Sequence, residues 1–181
     1  PYGSVIEETF KRAYTVHPYN WLPIGSVQYI DEATIDEFRE FYEIFYVPQN
    51  ATLVIAGDIN IDETKVLVSK YFADIPRGSR EIPRPNVVEP PLTSEIRDTI
   101  YDNIQLPLVL HAYRIPAEGT EDYYPLELLT TLLSSGQSSR LQKSLVDESQ
   151  LAINVGAFPY SLEDSGLFIA YGITNKGIKA D

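Results

Sequence analysis

His17 and His111 are the only imidazoles in this 181-residue sequence, and no cysteine accompanies them. A zinc centre needs three or four nitrogen, oxygen or sulfur ligands placed by local structure, and two histidines at i, i+4 of a helix are the usual device. Neither histidine has a second one near it. His17 therefore reads as a loop imidazole bonded to backbone, and His111 as a strand residue. Without thiols, a cysteine nucleophile and a thiolate metal site are both excluded. The 26 acidic side chains supply many adjacent carboxylates, among them Glu7-Glu8, Asp31-Glu32, Asp36-Glu37 and Asp147-Glu148. At that abundance they read as solvated helix faces and dipole-compensating first turns, not as acid–base pairs of the glycosidase kind. Ser135-Gly-Gln-Ser-Ser139 lacks the Gly-x-Ser-x-Gly spacing of a nucleophile elbow. Gly57-Asp58 is an isolated strand end without the glycine pattern that cradles phosphate. Taken alone, the residues describe an α/β chain with no catalytic constellation of its own.

Composition narrows the partners. The chain is 44% hydrophobic, too apolar for a disordered protein, and carries a formal charge of −12. A field of that sign repels phosphate backbones and anionic lipid heads, so nucleic acid and membrane surfaces are poor partners and basic peptides better ones. No run approaches the roughly 18–20 apolar residues of a membrane helix. The absence of methionine reads as the mark of a fragment.

Positioning these residues falls to the secondary structure. Ser4 and Glu7 have capping-box spacing, which predicts a helix to about Tyr14. Asn20–Glu32 has no clean period and reads as ordered loop. Thr34 and Glu37 form a second capping box before Ile35, Phe38, Phe41, Tyr42 and Phe45, and Pro48 stops that helix. Ala51–Ala56 is a short apolar, β-branched run that predicts a strand buried on both faces. Asp62 is positioned to cap a helix reaching Phe72. Pro76, Pro83, Pro85, Pro90 and Pro91 mark a stiffened linker. Beyond it a strand is expected over Glu95–Tyr101 and a better one over Leu106–Ile115, with Leu108, Leu110 and Ala112 on one side and Val109, His111 and Tyr113 on the other. Asp122 precedes a helix with Leu126, Leu129, Thr130 and Leu133 on one face, ended by Ser134-Ser-Gly136. A further helix through Leu141 and Leu145 and strands over Ala152–Phe158 and Gly166–Ile173 complete the order ααβα, linker, ββααββ.

Two long strings carry more information than these periods. They are His17-Pro-Tyr-Asn-Trp-Leu-Pro-Ile-Gly25 and Phe41-Tyr-x-x-Phe-Tyr-Val-Pro-Gln-Asn-Ala-Thr-Leu-Val-Ile-Ala-Gly-Asp58. With Tyr71–Pro76, Leu106–Pro116 and Ser138–Ala152 coming after them in order, the chain closely resembles the insulinase, pitrilysin and mitochondrial processing peptidase family of zinc peptidases. The resemblance covers nearly the whole chain. It implies a two-layer α+β sandwich, an antiparallel or mixed sheet with helices packed on one face, assembled here as a circularly permuted or exchanged domain. Residues 1–75 would be the C-terminal half of a first homologous domain, 76–93 the linker, and 94–181 the N-terminal half of a second.

The resemblance also implies where the chemistry lies. The family's inverted H-x-x-E-H motif and a distal Glu, which hold Zn²⁺ and activate water, belong upstream of its His-Pro-Tyr loop. This sequence resembles the stretch downstream of the distal Glu, so no catalytic or metal-binding residue is expected in it and Zn²⁺ is expected in the longer parent alone. In relatives that complete the site from the second half, an Arg and a Tyr seven residues later orient the peptide. Aligned on Gln150-Leu151-Ala152, those places fall on Val146 and Ile153, both apolar, as in subunits that a homologous sister chain complements. A homodimer is the other arrangement implied, and an assembly or binding subunit of the same fold that has lost the zinc motif is the other reading of the parent. Pro18, Gly25, Asn50, Gly57, Asp58, Ser139 and Arg140 are carried over as structural motif positions, and His17 and Tyr19 as chamber-lining candidates that compete with a loop-anchoring role. Gly25, Gly57 and Gly136 are expected to serve backbone geometry. The implied substrate is a peptide or unfolded polypeptide, and the implied setting a bacterial cytoplasm or periplasm.

Overall fold

The computed structural model describes residues 2–180. Its helices are α1 (Val5–Ala13), α2 (Val27–Glu32), α3 (Ile35–Phe45), α4 (Ile61–Phe72) and α5 (Tyr123–Ser134), with a wide π-type helical segment over Gln142–Glu148. Its strands are β1 (Leu108–Ile115), β2 (Ala152–Tyr160) and β3 (Gly166–Thr174). Two compact units result, one made of Pro1–Leu22 with Val88–Asp181 and the other of Pro23–Val87.

The first unit is built on an antiparallel sheet of order β1-β3-β2. Strand β3 lies in the middle, with Ile169 opposite Ala112 on one side and Phe158 on the other. Strand side chains alternate between faces, and both faces of β3 are apolar. Leu167 and Ile169 pack with Phe10, Ala13 and Tyr14 of the α1 region, beside Leu110 and Ala112 of β1. Phe168 packs with Ile115 and Ala157, beside Leu126 and Leu133 of α5 and Leu141. Helix α5 thus supplies the expected helical layer, and α1 covers the opposite face. Gly156 leaves room for the Tyr171 ring, which an added Cβ would strike.

The second unit carries α2, α3 and α4. Helix α3 begins as its sequence predicts: Thr34 Oγ1 accepts from Glu37 N–H at 3.4 Å while Glu37 Oε2 accepts from Thr34 N–H at 2.7 Å. Helix α4 is capped two residues earlier than expected. Asn60 Oδ1 accepts from the N–H groups of Asp62 and Glu63, which leaves Asp62 in the first turn as a dipole partner.

Several local expectations are corrected. Ser4 and Asp122 make no side-chain cap, because their backbones are already helical and a capping oxygen reaches the first-turn N–H groups from extended geometry. Part of the expected loop is helix α2, started by Ser26 Oγ accepting from Gln28 N–H; six residues are too few to show a period. Ala51–Ala56 and Glu95–Tyr101 join no ladder among the described residues. Val54 is 80% exposed, so the expectation of a strand buried on both faces fails as well. An apolar β-branched run specifies extended backbone, whereas a strand also needs a hydrogen-bonding neighbour. Among the described residues, all strands of the sheet come from Leu108–Thr174.

Candidate functional site

The most heavily determined polar cluster of the first unit forms where α1 ends. Chain leaving the helix at Tyr14 runs extended, which turns the N–H groups of Thr15, Val16 and His17 toward one point. Glu89 fills that point. Its Oε1 accepts from Thr15 N–H at 2.8 Å and from the Thr15 hydroxyl at 2.7 Å, and its Oε2 accepts from Val16 N–H at 2.9 Å and His17 N–H at 2.8 Å. Successive N–H groups converging in this way make an anion-binding concavity.

Arg114 closes the cluster from β1. Its Nη2 donates to Glu89 Oε1 at 3.1 Å, and its Nε donates to the Ala13 carbonyl at 2.8 Å. Nη2 also donates to Ala13 O, and Nη1 to Pro90 O. The guanidinium lies 5.5 Å from the Tyr14 ring centroid. One cation therefore satisfies a carbonyl freed at the helix end, the neighbouring carboxylate and the backbone beside that carboxylate. Burial pushes the Glu89 carboxyl up, but donation from His17, Val16 and Thr15 outweighs it and holds the group at about 2. Burial raises Tyr14 to about 12, with Arg114 opposing and Tyr19 and Glu89 adding to the shift. The Tyr14 hydroxyl donates to Ser165 O at 2.5 Å.

His17 and Tyr19 lie beside this cluster. His17 Nδ1 accepts from Tyr19 N–H at 3.2 Å and so caps the 3-10 turn Pro18–Asn20, with Pro18 in its first position. In the neutral ring that leaves the proton on Nε2, which faces Asp164 Oδ2 at 3.3 Å. Tyr19 Oη accepts from Asp164 N–H at 3.2 Å, and the His17 and Tyr19 rings are 4.1 Å apart between centroids. Both imidazole nitrogens of His17 are thus engaged.

The other sequence-derived positions are not gathered here. His111 is exposed on β1. Asn50 belongs to the second unit, where its Nδ2 donates to Phe45 O at 2.9 Å and its Oδ1 accepts from Arg84 at 2.6 Å. Gly25 and Gly57 are in that unit too, and with Gly136 all three have positive φ, the conformation that favours glycine. Asp58 is exposed. Ser139 is buried with an unpartnered hydroxyl, while Arg140 is exposed. Val146 lies in the π-type segment and Ile153 on β2, so neither place presents a guanidinium or a phenol.

Glu89 carries no motif, whereas Arg114 lies in the Leu106–Pro116 string and has a further legible signal. It continues the Leu108, Leu110, Ala112 side of β1, the face turned to the core, where a cation requires a buried counter-ion. Chemically the cluster is saturated. Every oxygen of Glu89 has a donor, and Tyr14 holds its proton through the neutral range. No group of three or more His, Cys, Asp or Glu side chains able to hold a metal occurs among the described residues.

Comparison with known proteins places the chain in a family. Residues 32–181 match the family described as the Peptidase M16 inactive domain. The chain belongs to the M16 peptidase family. It is 31% identical over 183 residues to the zinc protease PqqE of Helicobacter pylori, covering 100% of this chain and 41% of that protein. It is 25% identical to the uncharacterized zinc protease YmxG of Bacillus subtilis, over 91% of this chain and 39% of the relative. Among solved structures, a protease from Helicobacter pylori superposes with a TM-score of 0.88 at 32% identity, over 99% of this chain and 44% of that one. The M16 inactive domain from Pseudomonas fluorescens shares the fold, with a TM-score of 0.66 at 19% identity over 93% of this chain and 40% of that one. This M16 chain spans less than half the length of these relatives. No helix among the described residues is long and apolar enough to cross a membrane.

Proposed function

We propose that this chain is the non-catalytic central segment of a zinc-dependent endopeptidase subunit, contributing frame and chamber wall around a peptide or unfolded polypeptide. The observation that carries the reading is the match to the M16 inactive domain across residues 32–181. The saturated cluster at the end of α1 supports it: His17 and Tyr19 hold a loop in place, and the loop would present Pro18 and Trp21 as wall. The two homology halves on either side of residues 76–93 belong to this proposal. So does a homologous sister subunit or a second copy, which would supply the guanidinium and phenol that Val146 and Ile153 do not.

Zinc belongs to the parent protein in this reading. Among the described residues none fit it, because both ring nitrogens of His17 are engaged and no group of three or more His, Cys, Asp or Glu that could hold a metal surrounds the exposed His111. The formal charge of −12 favours basic segments as substrate. Reading the upstream coding sequence for H-x-x-E-H, and then measuring zinc content and peptide cleavage by the full-length protein with and without its sister subunit, tests the proposal. A full-length protein that lacks the motif and cleaves nothing would be an assembly or binding subunit of the same fold instead.

A further inference from the structure

We infer that Thr15, Val16, His17 and Arg114 form a carboxylate receptor whose resident ligand is Glu89, and that this ligation clasps Pro1–Leu22 onto the sheet of its own unit. The two segments of that unit, Pro1–Leu22 and Val88–Asp181, are separated in sequence by all of Pro23–Val87. A covalent path of that length does little to hold its ends together. The clasp does so directly. It supplies three backbone N–H groups, one hydroxyl and one guanidinium to a single carboxylate whose side chain is 4% exposed.

The donor set is specific for a planar carboxylate. Thr15 serves one oxygen with two donors, Val16 and His17 serve the other, and Arg114 approaches Oε1 from the strand side. The same guanidinium holds Ala13 O at the end of α1 and Pro90 O next to the ligand, so the helix end, the receptor and the chain that delivers the carboxylate are tied at one place. Residues 88–91, which composition assigns to a linker, are by this inference a fixed part of the folded unit. A receptor of this kind, emptied of Glu89, would accept a small free carboxylate such as acetate or formate.

Hydrogen exchange on the full chain tests the inference. In Glu89→Ala, the amides of Thr15, Val16 and His17 should accelerate at least about tenfold more than those of Leu167–Ile169 in β3, which respond only to the global loss of stability. Acetate should restore the protection saturably, and chloride at equal ionic strength should not. Glu95→Ala, a neighbouring acid outside the receptor, should leave both sets of amides unchanged. Should Glu89→Ala lose β3 protection altogether, Glu89→Gln decides, with an intermediate acceleration at residues 15–17 alone. Unchanged exchange at residues 15–17 in the Glu89 variant that folds, or equal rescue by chloride, would overturn the inference.

Discussion

Arg114 Nη2 stands 3.1 Å from Glu89 Oε1, with the two side chains 14% and 4% exposed, and this pair joins the end of α1 to β1 and to the residues after Val87. Removing one member of a buried pair leaves the other charged and without its counter-ion, at a cost of about 3–5 kcal/mol. Arg114→Met should destabilise the chain by that order in urea unfolding. Arg114→Lys should recover part of the loss, because an ammonium keeps the charge but cannot serve Ala13 O, Glu89 and Pro90 O at once.

Acid should expose the same group. Glu89 titrates at about 2 in the folded protein against an ordinary 4.5. A carboxyl with a depressed folded value contributes stability that is fully present above its unfolded pKa and lost as pH falls through the folded one. The urea midpoint should therefore decline between about pH 4.5 and pH 2 more steeply in the native chain than in Glu89→Gln. Parallel declines would mean that Glu89 is not ionised in the cluster.

Tyr14 predicts the opposite limb. Its value is raised to about 12 from 10.0, so its contribution is present below pH 10 and lost as pH rises toward 12. Ultraviolet titration should show late-ionising phenols, Tyr123 also being raised by its hydrogen bond to Glu127, and Tyr14→Phe should remove the latest component.

His17 caps a short turn. Replacing it by Ala leaves Tyr19 N–H without an acceptor and should cost about 1 kcal/mol, the usual worth of a cap. His17→Asn, whose side-chain oxygen can accept in the same place, should cost less. Exchange at the Tyr19 amide reads the difference directly.

Leu167 sits at 0% exposure between α1 and the sheet. Leu167→Ala should lower stability by about 2–5 kcal/mol. The equivalent change at Val54, 80% exposed, should cost far less.

Much of this fold is written locally. The Thr34–Glu37 box, the alternation along β1 and the glycine ending α5 depend on nearby residues, and each is realised as its sequence predicts. What failed depends on partners. Ala51–Ala56 has the composition of a strand, but no ladder forms beside it among the described residues. The packing of α1 on the far face of the sheet from α5 joins residues far apart in the chain, and no period encodes it. The same holds for the cluster. His17 was legible from its motif, whereas Glu89 looked like one more acid in a proline-rich stretch, and only the core-facing parity of Arg114 hinted that a counter-ion was needed.

If this chain supplies frame and wall, as proposed, metal chemistry resides elsewhere in its parent. Equilibrium dialysis against zinc, run on the 181-residue chain and on the full-length protein side by side, tests it most directly. The full-length protein should hold stoichiometric zinc and the chain none above background. Stoichiometric zinc on the chain, or none on the full-length protein, would contradict it.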